Sequence, residues 1–193
     1  PDEKGNISII GVGMHGLKQP KNPIYLGNSG TSMRLLTGLL AAQNFDLTLT
    51  GDSSLSSRPM NRVMAPIKEM GAKLDSDTNS TAPIYIKNTS KTHVLKGIAY
   101  SMPIASAQVK SCILLAGMYA EGKTCVTEPA PTRDHTERML KGFNYPIEIN
   151  SLGEGRTQIC INGGGELTAC NLHIPADISS AAFFMVGACI AED

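Results

Sequence analysis

Hydrophobic and polar positions along the chain follow first a helical and then a strand-like period. An apolar run that begins at residue 30 predicts a helix, and the alternating segment FDLTLT predicts a half-buried strand. The predicted elements are a helix, a strand, a helix and two strands, over residues 30–43, 45–50, 59–71, 72–75 and 83–87. Helices and strands that alternate in this way predict the α/β class.

Two residues indicate the limits of the second predicted helix. Pro59 suits the first helical position, where its missing N–H has no intrahelical partner to lose, and Gly71 suits a C-cap. Pro66 lies inside the same segment and predicts an irregular helix.

The same pattern occurs a second time, roughly 75 residues later. The segment MRLLTGLLAAQNFDLTLTGDSSLSSRPM (33–60) aligns with VKSCILLAGMYAEGKTCVTEPAPTRDH (109–135), and the halves that follow them also match. This alignment places Arg34 opposite Lys110 and Arg58 opposite Arg133. A third copy begins at DISSAAFFMVGACIAED (177–193), and residues 1–26 resemble the end of an earlier unit. We therefore expect a fragment that is truncated at both ends.

Composition and charge exclude several classes of protein. Of the 193 residues, 41% are hydrophobic and 18% are charged, which is typical of a globular chain with a core. A formal net charge of zero argues against a nucleic-acid partner. No apolar stretch reaches the ~18 residues of a membrane span, and we expect neither a membrane partner nor a signal peptide.

The cysteines and histidines predict neither a disulfide framework nor a metal site. The cysteine count is odd and no CxxC pair occurs, so we expect reduced thiols in a cytoplasmic protein. The cysteines are Cys112, Cys125, Cys160, Cys170 and Cys189. The histidines, which are too dispersed for zinc ligation, are His15, His93, His135 and His173.

One segment matches a nucleotide-binding pattern by its letters alone. GMYAEGKT (117–124) fits the P-loop consensus, which requires a strand before the loop and a helix after it. Here a predicted helix precedes the segment and a predicted strand follows it. We therefore expect Lys123 to lie in an ordinary turn.

Four polar loops, each at the start of a predicted helix, carry the candidate chemistry. Backbone N–H groups and the helix dipole attract anions at such a position, and arginine binds carboxylate or phosphate in a bidentate manner. Any one loop is explained equally well as a turn with an N-cap, but four at equivalent positions favour a site for a polyanionic ligand. The candidate residues are Asn28, Gly30, Thr31, Arg34, Arg58, Ser106, Ala107, Gln108, Thr132 and Arg133.

These loops resemble the successive signatures of one enzyme family. LGNSGTSMRLLTG, RPMNRVMAPIKEMGA, SAQVKSCILLAG, RDHTERML and DISSAAFF are similar, in order, to segments of 5-enolpyruvylshikimate-3-phosphate synthases, and more to the bacterial class II form. The resemblance implies two domains built from βαβαββ units with threefold pseudosymmetry, the enolpyruvyl transferase fold. It assigns residues 1–174 to an N-terminal-type domain that lacks its beginning, and residues 175–193 to the start of the C-terminal domain.

The resemblance also implies an activity and residue roles. The family transfers the enolpyruvyl group of phosphoenolpyruvate to the 5-hydroxyl of shikimate 3-phosphate, in aromatic amino-acid biosynthesis. By matching motifs, Gly30 and Arg58 would contact phosphoenolpyruvate, with Asn28, Thr31 and Arg34 nearby. The residues matched to shikimate 3-phosphate are Ser106, Ala107 and Gln108, of which Gln108 would touch both substrates, and then Thr132 and Arg133. Thr132 replaces a serine that is usual in the family.

The resemblance places the catalytic acid and base in segments that this chain does not contain. We therefore assign no catalytic residue, metal or cofactor, and expect the fragment alone to be inactive and the complete enzyme to be a monomer. Because Gly30 is not alanine, the resemblance implies sensitivity to glyphosate. The alternatives are the related enolpyruvyl transferase that acts on UDP-N-acetylglucosamine, whose reactive cysteine loop has no counterpart here, and a non-catalytic binding domain of the same fold.

Overall fold

A computed structural model describes residue 3 and residues 5–88 and 94–191 of the chain. The strands are β1 Ile24–Tyr25, β2 Leu47–Thr50, β3 Leu74–Asp77, β4 Thr81–Ile86, β5 Ala99–Ser101, β6 Lys123–Glu128, β7 Glu148–Gly153 and β8 Arg156–Asn162. The helices are α1 Gly30–Ala41, α2 Ser53–Ser56, α3 Asn61–Glu69, α4 Ala107–Gly117, α5 His135–Gly142 and α6 Ile178–Ile190. His93 lies outside the described residues.

The strands form two sheets of the same topology. Their orders are β1-β2-β4-β3 and β5-β6-β8-β7, and in each sheet the first pair is parallel and the other pairs are antiparallel. Each sheet, with two of its helices, is a βαβαββ unit, so the predicted α/β class and the predicted repeat are confirmed. The shared topology follows from the shared pattern of helical and strand periods.

The structural equivalence of the two units differs by one residue from the sequence alignment. Ser29 caps α1 and Ser106 caps α4, each by accepting a hydrogen bond from the backbone N–H three residues later. Met33 is the fourth residue after the first cap, and Lys110 is the fourth after the second. Lys110 therefore corresponds to Met33, and its alignment with Arg34 was wrong.

The two units pack together through α1 and α4. A Cβ atom at Gly38 would lie 2.1 Å from the carbonyl oxygen of Cys112, so the glycine permits a backbone approach that no side chain allows. Met33, Ile113 and Leu114 are fully buried in the core around this contact. The packing brings the first turns of both helices side by side.

The expectation of reduced cysteines was wrong for one pair. Cys125 on β6 and Cys160 on β8 lie directly opposite each other in the antiparallel register and form a disulfide, with their Cα atoms 4.1 Å apart. The residues are 35 apart in sequence, so their spacing does not reveal the pairing. Cys112, Cys170 and Cys189 are free thiols.

The serine-rich loop differs from the prediction. It contains the short helix α2, and α3 begins at Asn61 with Met60 as its cap, so Pro59 precedes the helix and is not its first residue. Gly71, with φ +101°, follows the C-cap of α3, because glycine tolerates a positive φ. The predicted irregularity at Pro66 does not interrupt α3, which runs through this residue.

The remaining segments agree with the order of elements that the sequence predicts. Lys123 follows a turn between α4 and β6 and forms an ion pair with Glu148, at 2.7 Å, as expected for a segment that is not a P-loop. The apolar helix α6 forms at the start of the third copy, with Phe183 and Phe184 each 83% exposed. Within the described residues, no helix is both long and apolar enough to cross a membrane.

Candidate functional site

Residues of both units meet at the first turns of α1 and α4. Arg34 donates from Nη1 to Oε1 of Gln108 at 2.5 Å, and Gln108 donates from Nε2 to Oγ1 of Thr31 at 2.7 Å. These two hydrogen bonds between α1 and α4 hold the Arg34 guanidinium, the Gln108 amide and the Thr31 hydroxyl in place. The structure thus brings together the loops before α1 and α4, two of the four loops that the sequence predicts to converge.

Arg58 reaches the same place from the loop before α3. Its Nη2 donates to Oδ1 of Asn28 at 2.5 Å and to Oγ of Ser54 at 3.3 Å. Asn28 in turn donates from Nδ2 to Oδ2 of Asp52 at 2.8 Å, and the other Asp52 oxygen accepts from the backbone N–H of Leu55 at 2.7 Å, which caps α2. Asp52 and Asn28 therefore orient Arg58.

Gly30 lies between the two guanidinium groups. A Cβ atom there would stand 3.2 Å from Nη1 of Arg34 and 3.2 Å from Nη1 of Arg58. Partial burial, and then the nearby charges of Arg58 and Arg62, lower the pKa of the Arg34 guanidinium. An anion bound beside Gly30 would relieve this repulsion between cations, so the arrangement favours a carboxylate or phosphate.

At its helix start the second unit presents neutral hydrogen-bonding groups, where the first unit has the partly buried guanidinium groups of Arg34 and Arg58. Ser106 caps α4 by accepting from the backbone N–H of Val109 at 3.4 Å, and Ala107 is the first helical residue. Gln108 follows and joins this start to α1. The backbone donors at the start of α4, with the helix dipole, suit an anionic group.

The loop between β6 and α5 holds the last two candidate residues. Oγ1 of Thr132 donates to Oε2 of Glu128 at 2.7 Å. Arg133 is exposed, and no hydrogen bond or ion pair joins it to the residues described. The structure therefore links Thr132 to the second unit and leaves the Arg133 side chain pointing outward.

Sequence reasoning missed a buried charged cluster beside this loop. Lys110 is 0% exposed, and its Nζ lies 2.5 Å from Oε1 of Glu137 and 3.1 Å from Oε2 of Glu128. The sequence signal for this cluster is a lysine at a core position of an apolar helix, where the other unit has Met33. Because the alignment was shifted by one residue, that signal was not used.

No metal site is visible in the described part of the chain, where His, Cys, Asp and Glu side chains do not cluster in groups of three or more that could hold an ion. The structure brings Asn28, Gly30, Thr31, Arg34, Arg58 and Gln108 together. Their contacts with a ligand stay predictions.

A fold of repeated βαβαββ units with cations at its helix starts is the architecture expected of an enolpyruvyl transferase. The family model of EPSP synthase (3-phosphoshikimate 1-carboxyvinyltransferase) matches residues 2–193. The chain belongs to this family, and the resemblance drawn from its motifs is confirmed.

Individual relatives agree with the family match. A 3-phosphoshikimate 1-carboxyvinyltransferase of Methylococcus capsulatus is 62% identical over 188 residues, which are 97% of this chain and 41% of the relative. One of Hydrogenovibrio crunogenus is 57% identical over 98% of this chain and 42% of its own length. The solved structure of EPSP synthase from Acinetobacter baumannii is 56% identical, with a TM-score of 0.80, over 94% of this chain and 40% of that protein. The chain thus spans about two fifths of the length of these relatives.

Proposed function

We propose that this chain supplies substrate-binding loops of a 3-phosphoshikimate 1-carboxyvinyltransferase. The complete enzyme would transfer the enolpyruvyl group of phosphoenolpyruvate to the 5-hydroxyl of shikimate 3-phosphate and release phosphate. The observation that carries the proposal is the meeting of Arg34, Arg58 and Gln108 around Gly30. Both substrates are anions, and side-by-side binding requires cations and oriented donors that offset their repulsion.

The first unit would bind phosphoenolpyruvate. Arg58 offers its guanidinium to the phosphate or carboxylate, and Gly30 leaves room beside it, because a Cβ atom would enter the space between the two arginines. Asn28 holds Arg58 in place, and Thr31 and Arg34 border the same space. The pairing of two arginines with one small dianion supports this assignment.

The second unit would bind shikimate 3-phosphate. Ser106 and Ala107 form the start of α4, which suits a phosphate, and Gln108 bonds to α1 and would thereby touch both substrates. Thr132 and Arg133 would complete the phosphate contact from the loop between β6 and α5. Arg133 is exposed and has no hydrogen bond or ion pair with the residues that the structure describes, so its guanidinium is available to a substrate phosphate.

The acid and base that the reaction requires are not assigned to any residue here. We infer that residues 1–174 belong to an N-terminal-type domain and residues 175–193 to the start of a C-terminal domain that carries those groups. The exposed phenylalanines of α6 support an apolar partner for this helix. We expect a monomer when the enzyme is complete, and no product from this chain alone.

We place the enzyme in the cytoplasm on the thiols of this chain, of whose five cysteines three are free and two, Cys125 and Cys160, are paired. The measurement is fractionation of cells that express the complete enzyme, and recovery outside the cytoplasmic fraction would overturn the assignment.

Calorimetric titration of shikimate 3-phosphate into the 193-residue chain tests the proposal. We expect saturable binding that falls about tenfold or more in Gln108→Ala, because a hydrogen bond to a charged ligand is lost. Lys87→Ala is the matched control. Lys87 is exposed beside the end of α1, and the 12 residues of this helix separate it by about 18 Å from the site.

Absence of heat from shikimate 3-phosphate would contradict the proposal and favour a non-catalytic domain of this fold. Equal losses in Gln108→Ala and Lys87→Ala would also contradict it, since the binding would then lie elsewhere. Detectable product from the chain alone would overturn the inference that its acid and base lie in another domain.

A further inference from the structure

We propose that Lys110, Glu128 and Glu137 form a positioning device for the loop of residues 129–134, which carries Thr132 and Arg133. The inference rests on the proposed function for the role of that loop in binding shikimate 3-phosphate. Lys110 touches no substrate in this account and acts through the two carboxylates. We call these three residues the buried triad.

The buried triad holds both ends of one loop. Glu128 is the last residue of β6, and Glu137 lies in the first turn of α5, so the loop begins and ends at a carboxylate. Nζ of Lys110 contacts both, at 3.1 Å and 2.5 Å, from the first turn of α4. One buried cation thereby fixes the distance between the two ends of the loop and the helix start that carries Ser106.

Two further bonds tie the same segment. Glu128 uses the oxygen that contacts Lys110 to accept the hydroxyl of Thr132, at 2.7 Å, so the middle of the loop is held as well. Oγ of Ser111 and Oγ1 of Thr136 are 2.6 Å apart and join α4 directly to α5. The loop is thus oriented by α4 at its beginning, middle and end.

Stability alone does not explain this cluster. The corresponding residue of the first unit is the fully buried Met33, so the fold accepts an apolar side chain at this position. Burial of three charges is costly, and such clusters are often replaced by apolar residues without loss of stability. Nζ of Lys110 and Oε2 of Glu137 are both buried without a hydrogen-bond partner among the described residues, so Lys110 is held by ion-pair contacts and the cost is larger. The cost is consistent with selection for the position of the loop.

Two variants at Glu128 test the inference. Both remove the Glu128 carboxylate and leave one cation, Lys110, paired with one anion, Glu137. Glu128→Gln retains an oxygen that accepts the Thr132 hydroxyl, and Glu128→Ala removes it. We expect hydrogen exchange of the Arg138 amide, which donates to the carbonyl of Asp134 at the end of the loop, to rise about tenfold in Glu128→Ala and to stay near that of the unchanged chain in Glu128→Gln. Affinity for shikimate 3-phosphate should fall about fivefold in Glu128→Ala only, while affinity for phosphoenolpyruvate stays unchanged.

A third variant, which carries three substitutions, separates the positioning of the loop from the stability of the fold. Lys110→Met, Glu128→Leu and Glu137→Leu together convert the buried triad into an apolar cluster like that around Met33. We expect a folded chain in which exchange rises at the Arg138 amide, which bonds the end of the loop, and not in α1. Unchanged exchange at that amide, or an equal rise throughout the chain, would overturn the inference.

The exchange measurement requires no ligand, so the inference and the proposed function fail separately. If the unchanged chain does not bind shikimate 3-phosphate, the proposed function fails, and local exchange still decides whether the buried triad positions the loop. If Glu128→Ala loosens the loop but leaves shikimate 3-phosphate affinity intact, the link between loop position and affinity is overturned.

Discussion

The two βαβαββ units share a topology but place different cations near the starts of α1 and α4. In the first unit Arg34 and Arg58 border the space beside Gly30. In the second unit Lys110 is fully buried against two carboxylates, and the helix start offers a serine and a glutamine. We infer that the repeated pattern of helices and strands determines the shared fold. The residues that differ between the two units determine where a ligand can bind.

The sharpest contrast is at the fourth residue after each serine cap. Met33 packs in an apolar core, and Lys110 occupies the corresponding place with its charge compensated. Substituting lysine for Met33, and methionine for Lys110, therefore tests how far the stability of each unit depends on the residues packed around that position.

Met33→Lys should have the largest effect. It places a cation at a fully buried position of the hydrophobic core, and we expect a loss of about 4 kcal/mol or more in the free energy of unfolding. Chemical denaturation followed by circular dichroism measures it. Met33→Leu is the control and should cost less than about 1.5 kcal/mol. Similar costs for both variants would show that this core tolerates charge.

Lys110→Met should cost nearly as much, although it copies the first unit. The change leaves two buried carboxylates without their cation, and we expect a loss of about 3 kcal/mol. The same denaturation experiment on the variant with an apolar buried triad should recover most of that loss. If Lys110→Met alone is neutral, the carboxylates do not depend on Lys110.

Arg58→Ala tests the two arginines that border the space beside Gly30 in the first unit. We expect affinity for phosphoenolpyruvate to fall about 30-fold, which is ~2 kcal/mol, because a charge-assisted contact is lost. Calorimetry at saturating shikimate 3-phosphate measures this change, with Lys87→Ala as the control. A fall no larger than that of Lys87→Ala would remove Arg58 from the site.

Gly30→Ala should have a smaller effect that is specific to the shape of the ligand. The new methyl group would lie 3.2 Å from each guanidinium, and the flexible arginine ends would have to shift by a few tenths of an ångström. We expect the complete enzyme to be inhibited by submillimolar glyphosate, and Gly30→Ala to weaken this inhibition about tenfold. A rate that submillimolar glyphosate leaves unchanged before substitution would contradict the prediction.

Asp52→Asn should have the smallest effect, and the effect should be present above pH ~4 and vanish at acidic pH, where Asp52 itself is protonated. Hydrogen bonds from Leu55 and Asn28, and the charge of Arg58, hold the pKa of the Asp52 carboxyl below its usual value of 3.8. Since the folded-state pKa is depressed, the stabilisation is present above pH ~4 and is lost as pH falls through the folded-state pKa. Unfolding midpoints between pH 2 and 6 measure this, and parallel profiles for both proteins would contradict it.

The sequence was sufficient to predict the repeat and the convergence of its loops, for a physical reason. Periodicity reports which residues face a core, and both units have the same periodicity, so the α/β class and the helix starts at Gly30 and Ala107 were predictable. Family motifs then narrowed the candidate ligand residues to the loops that meet.

Features that depend on partners distant in sequence were not predictable. The short helix α2 has a local signal in its Asp52 cap, which the sequence analysis did not use, whereas the complete burial of Leu55 depends on the packing of the fold. The disulfide depends on the register of β6 and β8, and the buried triad on three separate elements. An error of one residue in the alignment was enough to hide Lys110.

The disulfide has a consequence for the loop that follows β6. Cys125 lies on the same strand as Glu128, and its bond to Cys160 holds β6 in one register against β8. A slip of a single residue would turn Glu128 to the opposite face of the sheet. The covalent link therefore acts as a lock against sliding, and it keeps the Glu128 carboxylate facing Lys110.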